Sequence, residues 1–435
     1  MDQITITEEM QRAIDLVENT SDHVFITGKA GTGKTTLLRH ITSHTNKKLV
    51  IAAPTGVAAI NAGGVTLHSL FRIPLGALDP NAPLKDHLHK SKRQLLEKID
   101  CLVIDEISMA RPDVIDFINK RLQQVRHNVK PFGGVQVVMI GDLFQLPPVV
   151  AGKEVEVLDL FYNGPYFFYA FAFIGAGFHV VELNHIFRQH EERFINLLNH
   201  IRTYQLTPED QEELAELRDS SASNDYERNA IHICTHRRDV AAINKAKLGK
   251  PTHKFIAFTE GDFNLGHFPC DETLELRVGA RVMMLVNSHD EGYFNGSLGT
   301  VSEIKDEEIT VTLDDGHDVT VTKNTWESYD YEIKGDTIKK KVKGTCTQFP
   351  LTLAWAITIH KSQGLTFDNV VIHTKGAFCS GQIYTALSRC RTLKGITCES
   401  FIGKKHIIMD RQLLRFEEVC KINNRFDSNA YMMMQ

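Results

Sequence analysis

The stretch Val24-Phe25-Ile26-Thr27-Gly28-Lys29-Ala30-Gly31-Thr32-Gly33-Lys34-Thr35 decides how the rest of this chain is read. It runs from an apolar strand through a glycine-rich loop into a helix over Lys34 to Thr42, and the loop fits G-x-x-x-x-G-K-[ST]. At ordinary residue frequencies a chance match in a chain of this length is on the order of 1–2%. In such a loop backbone N–H groups wrap phosphates at a helix N-terminus. The Lys34 ammonium reaches the β and γ oxygens and the Thr35 hydroxyl suits Mg²⁺. Gly28, Ala30, Gly31, Thr32, Gly33, Lys34, Thr35 and Thr36 are therefore the candidate ATP cradle.

Two further strand ends carry chemistry. Leu102-Val103-Ile104-Asp105-Glu106 closes a hydrophobic run on two carboxylates. Beside a phosphate loop, Asp105 would hold Mg²⁺ and Glu106 would orient and deprotonate an attacking water. That pairing suits hydrolysis rather than transfer to a small acceptor. Ile140-Gly141-Asp142-Leu143-Phe144-Gln145-Leu146-Pro147-Pro148 again places polar groups after a buried run, with Gln145 within reach of a γ-phosphate. Arg188 and Arg389 read either as cations on the transferring phosphoryl group or as surface salt-bridge partners.

Outward from these motifs the organisation is α/β. Continuous apolar runs at 24–26, 49–52, 101–104, 135–140 and 180–183 alternate with helical stretches, as in a parallel sheet buried on both faces. A second series at 231–233, 255–257, 282–285, 370–372 and 396–397 predicts a second α/β lobe. Between about 296 and 347 the pattern changes to alternating β-branched residues around Asp314-Asp315-Gly316, the signal of antiparallel hairpins, read as an inserted β-barrel. This divides the chain into a first lobe over 1–185, a second over 186–295 and 348–425, the insert over 296–347, and an aperiodic tail over 426–435 expected to fray.

Composition excludes several classes. The 435 residues are 42% hydrophobic and 24% charged, ample for two or three packed lobes and unlike a disordered chain. With 49 basic and 54 acidic residues the net charge is -5, so polyanion binding needs local patches. Basic runs at 85–98 and 334–343 read as solvated faces or phosphate contacts, and the acidic run at 209–227 as a solvated helix and loop. The eight cysteines show no C-x-x-C pair, which points to reduced thiols. The absence of a ~20-residue apolar run, a secretory h-region or an Arg-rich presequence leads us to expect a cytoplasmic protein with no membrane contact.

The motifs together resemble those of superfamily-one helicases, and specifically the Pif (petite integration frequency) family of DNA helicases. The resemblance rests on Gly28 to Thr35, Ala53-Pro54-Thr55-Gly56-Val57-Ala58-Ala59, Thr66-Leu67-His68-Ser69, Ile104-Asp105-Glu106-Ile107-Ser108-Met109 and Lys130-Pro131-Phe132-Gly133-Gly134 leading into Gly141-Asp142 and Gln145-Leu146-Pro147-Pro148. It continues through Phe187-Arg188-Gln189, Thr358-Ile359-His360-Lys361-Ser362-Gln363-Gly364 and Tyr384-Thr385-Ala386-Leu387-Ser388-Arg389. The Pro-Phe-Gly-Gly stretch resembles the family's own signature and separates the chain from RecD-type helicases. The resemblance implies two RecA-like motor domains with ATP between them, a wedge insertion over about 71–96 and a Src-homology-three-like barrel at the insert. It implies that Arg188 and Arg389 contact the γ-phosphate and that Gly364 belongs to the ATP site. It also implies that Thr55, Gly56, His68, His360, Lys361 and Ser362 face single-stranded DNA.

One departure stands out. Relatives carry an adenine-reading Gln before the phosphate loop, where this chain has Met10 with Gln11 beside it. The resulting expectation is a minimal bacterial motor, an ATP- and Mg²⁺-dependent helicase moving 5′-to-3′ on single-stranded DNA. It would act as a monomer on forks or G-quadruplexes, in replication, repair and genome maintenance, with no obligate protein partner. The alternatives are an ATPase that translocates or remodels without separating strands, and a passive single-strand binder switched by nucleotide.

Overall fold

The computed structural model of the chain describes residues 5–84, 88–150, 152–219, 230–263, 270–288, 290–334 and 337–435. The chain forms two compact units. The first contains Met1–Arg188, Tyr329–Lys341 and Asp410–Gln435, and the second Gln189–Ser328 and Val342–Met409.

The first unit is built on β1 (His23–Gly28), β2 (Leu49–Ala53), β3 (Val65–Thr66), β4 (Cys101–Ile104), β5 (Gln136–Gly141) and β6 (Phe178–Leu183). These run parallel in the order β6-β1-β5-β4-β2-β3, and the C-terminal strand Arg425–Phe426 adds an antiparallel edge beside β6. All four residues of β4 and all six of β5 are buried, which is why these strands read as continuous apolar runs. Helix α1 (Glu8–Asn19) begins where the Thr7 hydroxyl accepts from the Met10 N–H, and it buries Met10, Ala13 and Val17 against the sheet. Helix α2 (Lys34–His44) packs Leu37, Leu38 and Ile41 into the same core.

The parallel sheet of the second unit has four strands, ordered Ala356–Thr358, Ile231–Cys234, Val370–His373 and Ile396–Cys398. Two runs expected in it belong elsewhere. Phe255 and Ile256 fall on the strand His253–Ile256, which pairs with Thr273–Leu276. Residues 282–285 begin in Arg281–Met284, inside a five-stranded antiparallel sheet. Arg281–Met284 is buried at every position, and an apolar run reports two covered faces rather than the direction of the neighbouring strand. The hairpin at Asp314-Asp315-Gly316 joins Glu308–Leu313 to Asp318–Thr322 as its turn signal requires.

Other boundaries also move. The tail does not fray: it forms the edge strand and then the helix Ser428–Met434, capped by Asp427, with Phe426, Ala430 and Met434 buried. Everything from Asp410 onward belongs to the first unit, not the second, and so does the tip Tyr329–Lys341 of the long hairpin inside the insert. The wedge segment holds the helix Lys90–Lys98. Its Lys92 is no solvated cation, being buried, bonded to the Ser69 carbonyl and paired with Asp330 at 3.2 Å. Lys85, Asp225 and Glu227 lie outside the described residues. Asp210, expected on a solvated helix face, is fully buried against Arg193 and His200. Among the described residues no helix is long and apolar enough to cross a membrane, and all eight cysteines are free thiols.

Candidate nucleotide and nucleic-acid sites

The phosphate loop closes on itself. The Lys34 ammonium donates to the carbonyl oxygens of Gly28 at 2.6 Å and Lys29 at 2.8 Å, and the buried Thr32 hydroxyl donates to Lys29 O at 2.9 Å. Gly33 turns the chain into α2 with φ +82, a conformation that favours glycine. A Cβ at Gly33 would also lie 2.8 Å from Met10 Cε and 3.4 Å from the Phe187 ring. Met10 therefore packs beneath the loop as a core residue, while the exposed Gln11 amide donates to Asp15. Thr35 and Thr36 are exposed on the first turn of α2, and Ala30 is buried.

The carboxylates follow β4 directly. The Asp105 Oδ1 accepts from the Glu106 N–H at 2.9 Å. Desolvation raises the Asp105 pKa to about 6, against the pull of that N–H and of the nearby Lys34 charge. A carboxyl held in this way gains from a cation beside it, and a carboxylate together with the exposed hydroxyl of Thr35 on the phosphate loop is an oxygen donor set of the kind that fits Mg²⁺. Glu106 sits in the left-handed region at φ 50, ψ 44, a strained conformation for a side chain of its kind. After β5, Asp142 and Gln145 are both buried, and the Gln145 amide donates to Asp142 Oδ2 at 3.1 Å.

The signature stretch explains how β5 is aimed. Pro131–Gly134 forms a tight turn in which Phe132 takes φ 50 and is fully buried. Its N–H donates to Asn119 Oδ1 at 2.7 Å and its ring meets His23 and Phe178 edge-on. The signature is thus a packing device that fixes the strand leading into Asp142 and Gln145.

Among the residues expected at DNA, Thr55 caps the helix Gly56–Asn61 through the Ala58 N–H, and half-buried His68 lies on Leu67–Phe71. In the second unit His360 and Lys361 lie on the short helix Ile359–Ser362, with Lys361 exposed. Burial lowers the His360 pKa, aided by Arg237. Ser362 turns inward: it is fully buried and its hydroxyl donates to Ile359 O at 2.7 Å, so in this structure it faces its own helix. Gly364 lines a 730 Å³ cavity with Phe294, Leu298, Asp314 and Thr366. Arg389 is fully buried, its guanidinium donating to Thr385 O and Ser388 Oγ, both at 2.9 Å. Arg188 is half-buried at the end of the first unit.

Two residues quoted with Arg188 in its motif were given no role there. Phe187 donates its N–H to Gly31 O at 2.8 Å and presses its ring toward Gly33, bracing the phosphate loop. Gln189 is buried and donates to the carbonyls of Ser388 and Cys390, which flank Arg389. Both neighbour Arg188 in sequence, and that adjacency was the available signal.

Comparisons with known proteins identify the family and the fold. The family model of PIF1-like helicases matches residues 2–212, and that of the UvrD-like helicase C-terminal domain matches 353–394. The ATP-dependent DNA helicase Pif1 of Bdellovibrio bacteriovorus is 31% identical over 426 residues, covering 95% of this chain and 92% of that protein. The crystal structure of Bacteroides sp Pif1 in complex with ADP-AlF4 superposes with a TM-score of 0.93 at 50% identity, covering 98% of this chain and 99% of the other. Bacteroides Pif1 bound to ssDNA gives 0.73 at the same identity and coverage.

Proposed function

From the premise that the chain belongs to the PIF1-like helicase family and is an ATP-dependent DNA helicase with RecA-like α/β domains, we propose that it tracks 5′-to-3′ along single-stranded DNA and separates the duplex ahead. The observation that carries the catalytic part is that Asp105 and Glu106, at the end of β4 in the same parallel sheet as the phosphate loop, lie where the Lys34 charge acts on Asp105. Lys34, now on the loop's own carbonyls, exchanges them for phosphate oxygens. Thr35 and Asp105 would hold Mg²⁺, which would supply charge neutralisation on the phosphates. Glu106 takes the proton of the attacking water, and Gln145, pre-oriented by Asp142, senses the γ-phosphate. Arg188 and Arg389 serve as the γ-phosphate cations, with Arg389 already oriented by Thr385 and Ser388.

Single-stranded DNA contacts Thr55, Gly56 and His68 on the first unit and His360 and Lys361 on the second, through phosphates and without sequence readout. The Bacteroides Pif1 structure bound to ssDNA supports the ligand class. Forks and G-quadruplexes as substrates, service in replication and repair, action as a monomer and a cytoplasmic site complete the reading. Strand displacement on matched duplexes with a 5′ or a 3′ single-stranded tail tests it, with Lys34→Ala as the inactive control. Displacement of the 5′-tailed duplex alone is expected. Displacement only from the 3′ tail overturns the polarity, and DNA-stimulated hydrolysis without displacement from either tail leaves a translocase.

A further inference from the structure

In the second unit, three adjacent parallel strands, Ala356–Thr358, Ile231–Cys234 and Val370–His373, end at the same sheet edge. The segments that follow them carry His360 and Lys361, then His236 and Arg237, then Lys375 and Phe378. Arg237 lies close enough to His360 to help depress its pKa, so the first two groups are neighbours. Phe378 stacks on His236 with ring centroids 5.5 Å apart and planes at 10°, yet stays 59% exposed.

That exposure is built rather than incidental. The loop bearing Phe378 is pinned at both ends: the Thr235 hydroxyl donates to Lys375 O at 3.1 Å, and the Phe378 N–H donates to Oε1 of buried Gln382 at 2.9 Å. Gly376, at φ +79, allows the close approach, because a Cβ there would lie 2.7 Å from His236 Nε2. Residues 374–382 contain no acidic side chain, and three exposed cations lie on the segments leaving this sheet edge: Lys375 on the same loop as the ring, Arg237 next to His236 in sequence, and Lys361. A large apolar ring held in water within a cationic border matches one ligand class above others, a planar base attached to a phosphate chain.

We propose that Phe378, backed by His236, is a base-stacking platform that grips one nucleotide of the single strand on the second unit. The inference rests on the DNA reading above and adds a contact to the base where His360 and Lys361 serve the backbone. The platform is sequence-tolerant, since every base presents a π-face.

The test is fluorescence anisotropy of a labelled single-stranded oligonucleotide against the full chain, as wild type, Phe378→Ala and Phe378→Trp, over a salt series. Phe378→Ala is expected to weaken binding roughly 5- to 100-fold, the range for loss of one stacked base. Its slope of log affinity against log salt should be unchanged, because no phosphate contact is removed. Phe378→Trp should bind within about 2-fold of wild type, since an indole stacks as a phenyl does. A single abasic site moved along the strand should weaken wild type at one position and leave Phe378→Ala indifferent there. Wild-type affinity in Phe378→Ala overturns the platform alone. Failure of Phe378→Trp to bind, or an equal abasic penalty in wild type and Phe378→Ala at every position, also overturns it. A wild-type chain that does not bind the strand overturns the DNA reading and the platform together.

Discussion

Replacing Asp105 by Asn should make the nucleotide-free protein more stable while removing its ATPase activity. The Asp105 carboxyl is raised from 3.8 to about 6, with desolvation as the leading cause, so its charged form is disfavoured in the folded state. A group with a raised folded pKa binds more protons folded than unfolded between those values, and the stability of the fold therefore falls as pH rises through that window. At about 1.4 kcal/mol per pH unit, the full cost reaches about 3 kcal/mol above pH 7, and about half that at pH 5. Water reaching the partly buried carboxyl trims the neutral-pH figure toward about 2 kcal/mol. Asn keeps an oxygen for the Glu106 N–H and carries no charge, so the polar contact at 2.9 Å survives. The assay is thermal unfolding of wild type and Asp105→Asn without nucleotide from pH 5 to 8. For a unit of this size, about 2 kcal/mol corresponds to roughly 4–8 °C. The midpoint difference should grow with pH and level off above pH 7. Equal midpoints, or a difference that does not change with pH, would refute the argument that desolvation of Asp105 is stored in the site.

Glu106→Gln should bind ATP with near wild-type affinity but hydrolyse it at least about 100-fold more slowly in DNA-stimulated turnover, the usual contribution of a general base; normal turnover would remove Glu106 from that role. His23 accepts from the Val137 N–H and burial lowers its pKa to about 4. Its depressed folded pKa makes the wild type lose up to about 3 kcal/mol as pH falls from 6.5 to 4, and His23→Gln should flatten that limb of the thermal profile. Lys92→Met removes the cation bonded to the Ser69 carbonyl and paired with Asp330. It should lower first-unit stability by about 3 kcal/mol in chemical denaturation, and a loss below about 1 kcal/mol would mark the pair as dispensable.

The first sheet was legible because nearly every strand in it is covered on both faces. β5 buries all six residues, and such a run can be read without knowing its partners. β3, with two residues, and the edge strand Arg425–Phe426 are too short to carry a period, and their places are set by tertiary contacts. Those contacts also gave the tail its structure: Phe426 packs among the rings of Phe173 and Phe416, a long-range arrangement with no local signal. Strand direction was the second blind point. Arg281–Met284 is as buried as a parallel strand, and only its partners Leu298–Ile304 and Leu351–Leu353 make it antiparallel.

The site shows the same division between what a motif states and what packing adds. Gly28 to Thr35, Asp105 and Glu106 could be found because phosphate binding and hydrolysis demand those residue types at strand ends. The motif does not state the electrostatic condition of these groups in the fold. Lys34 satisfies its charge on Gly28 and Lys29 carbonyls, Asp105 resists ionising, and Glu106 is held at a strained backbone angle. The Asp105 desolvation and the Glu106 strain are costs carried by the fold, and a cation beside Asp105 relieves the first of them. Part of the binding energy is therefore realised as relief of one buried electrostatic penalty at the end of β4, two strand positions from the β1 that leads into the phosphate loop, with β5 between them. The strained Glu106 backbone suits a residue whose carboxylate must be aimed before the water arrives.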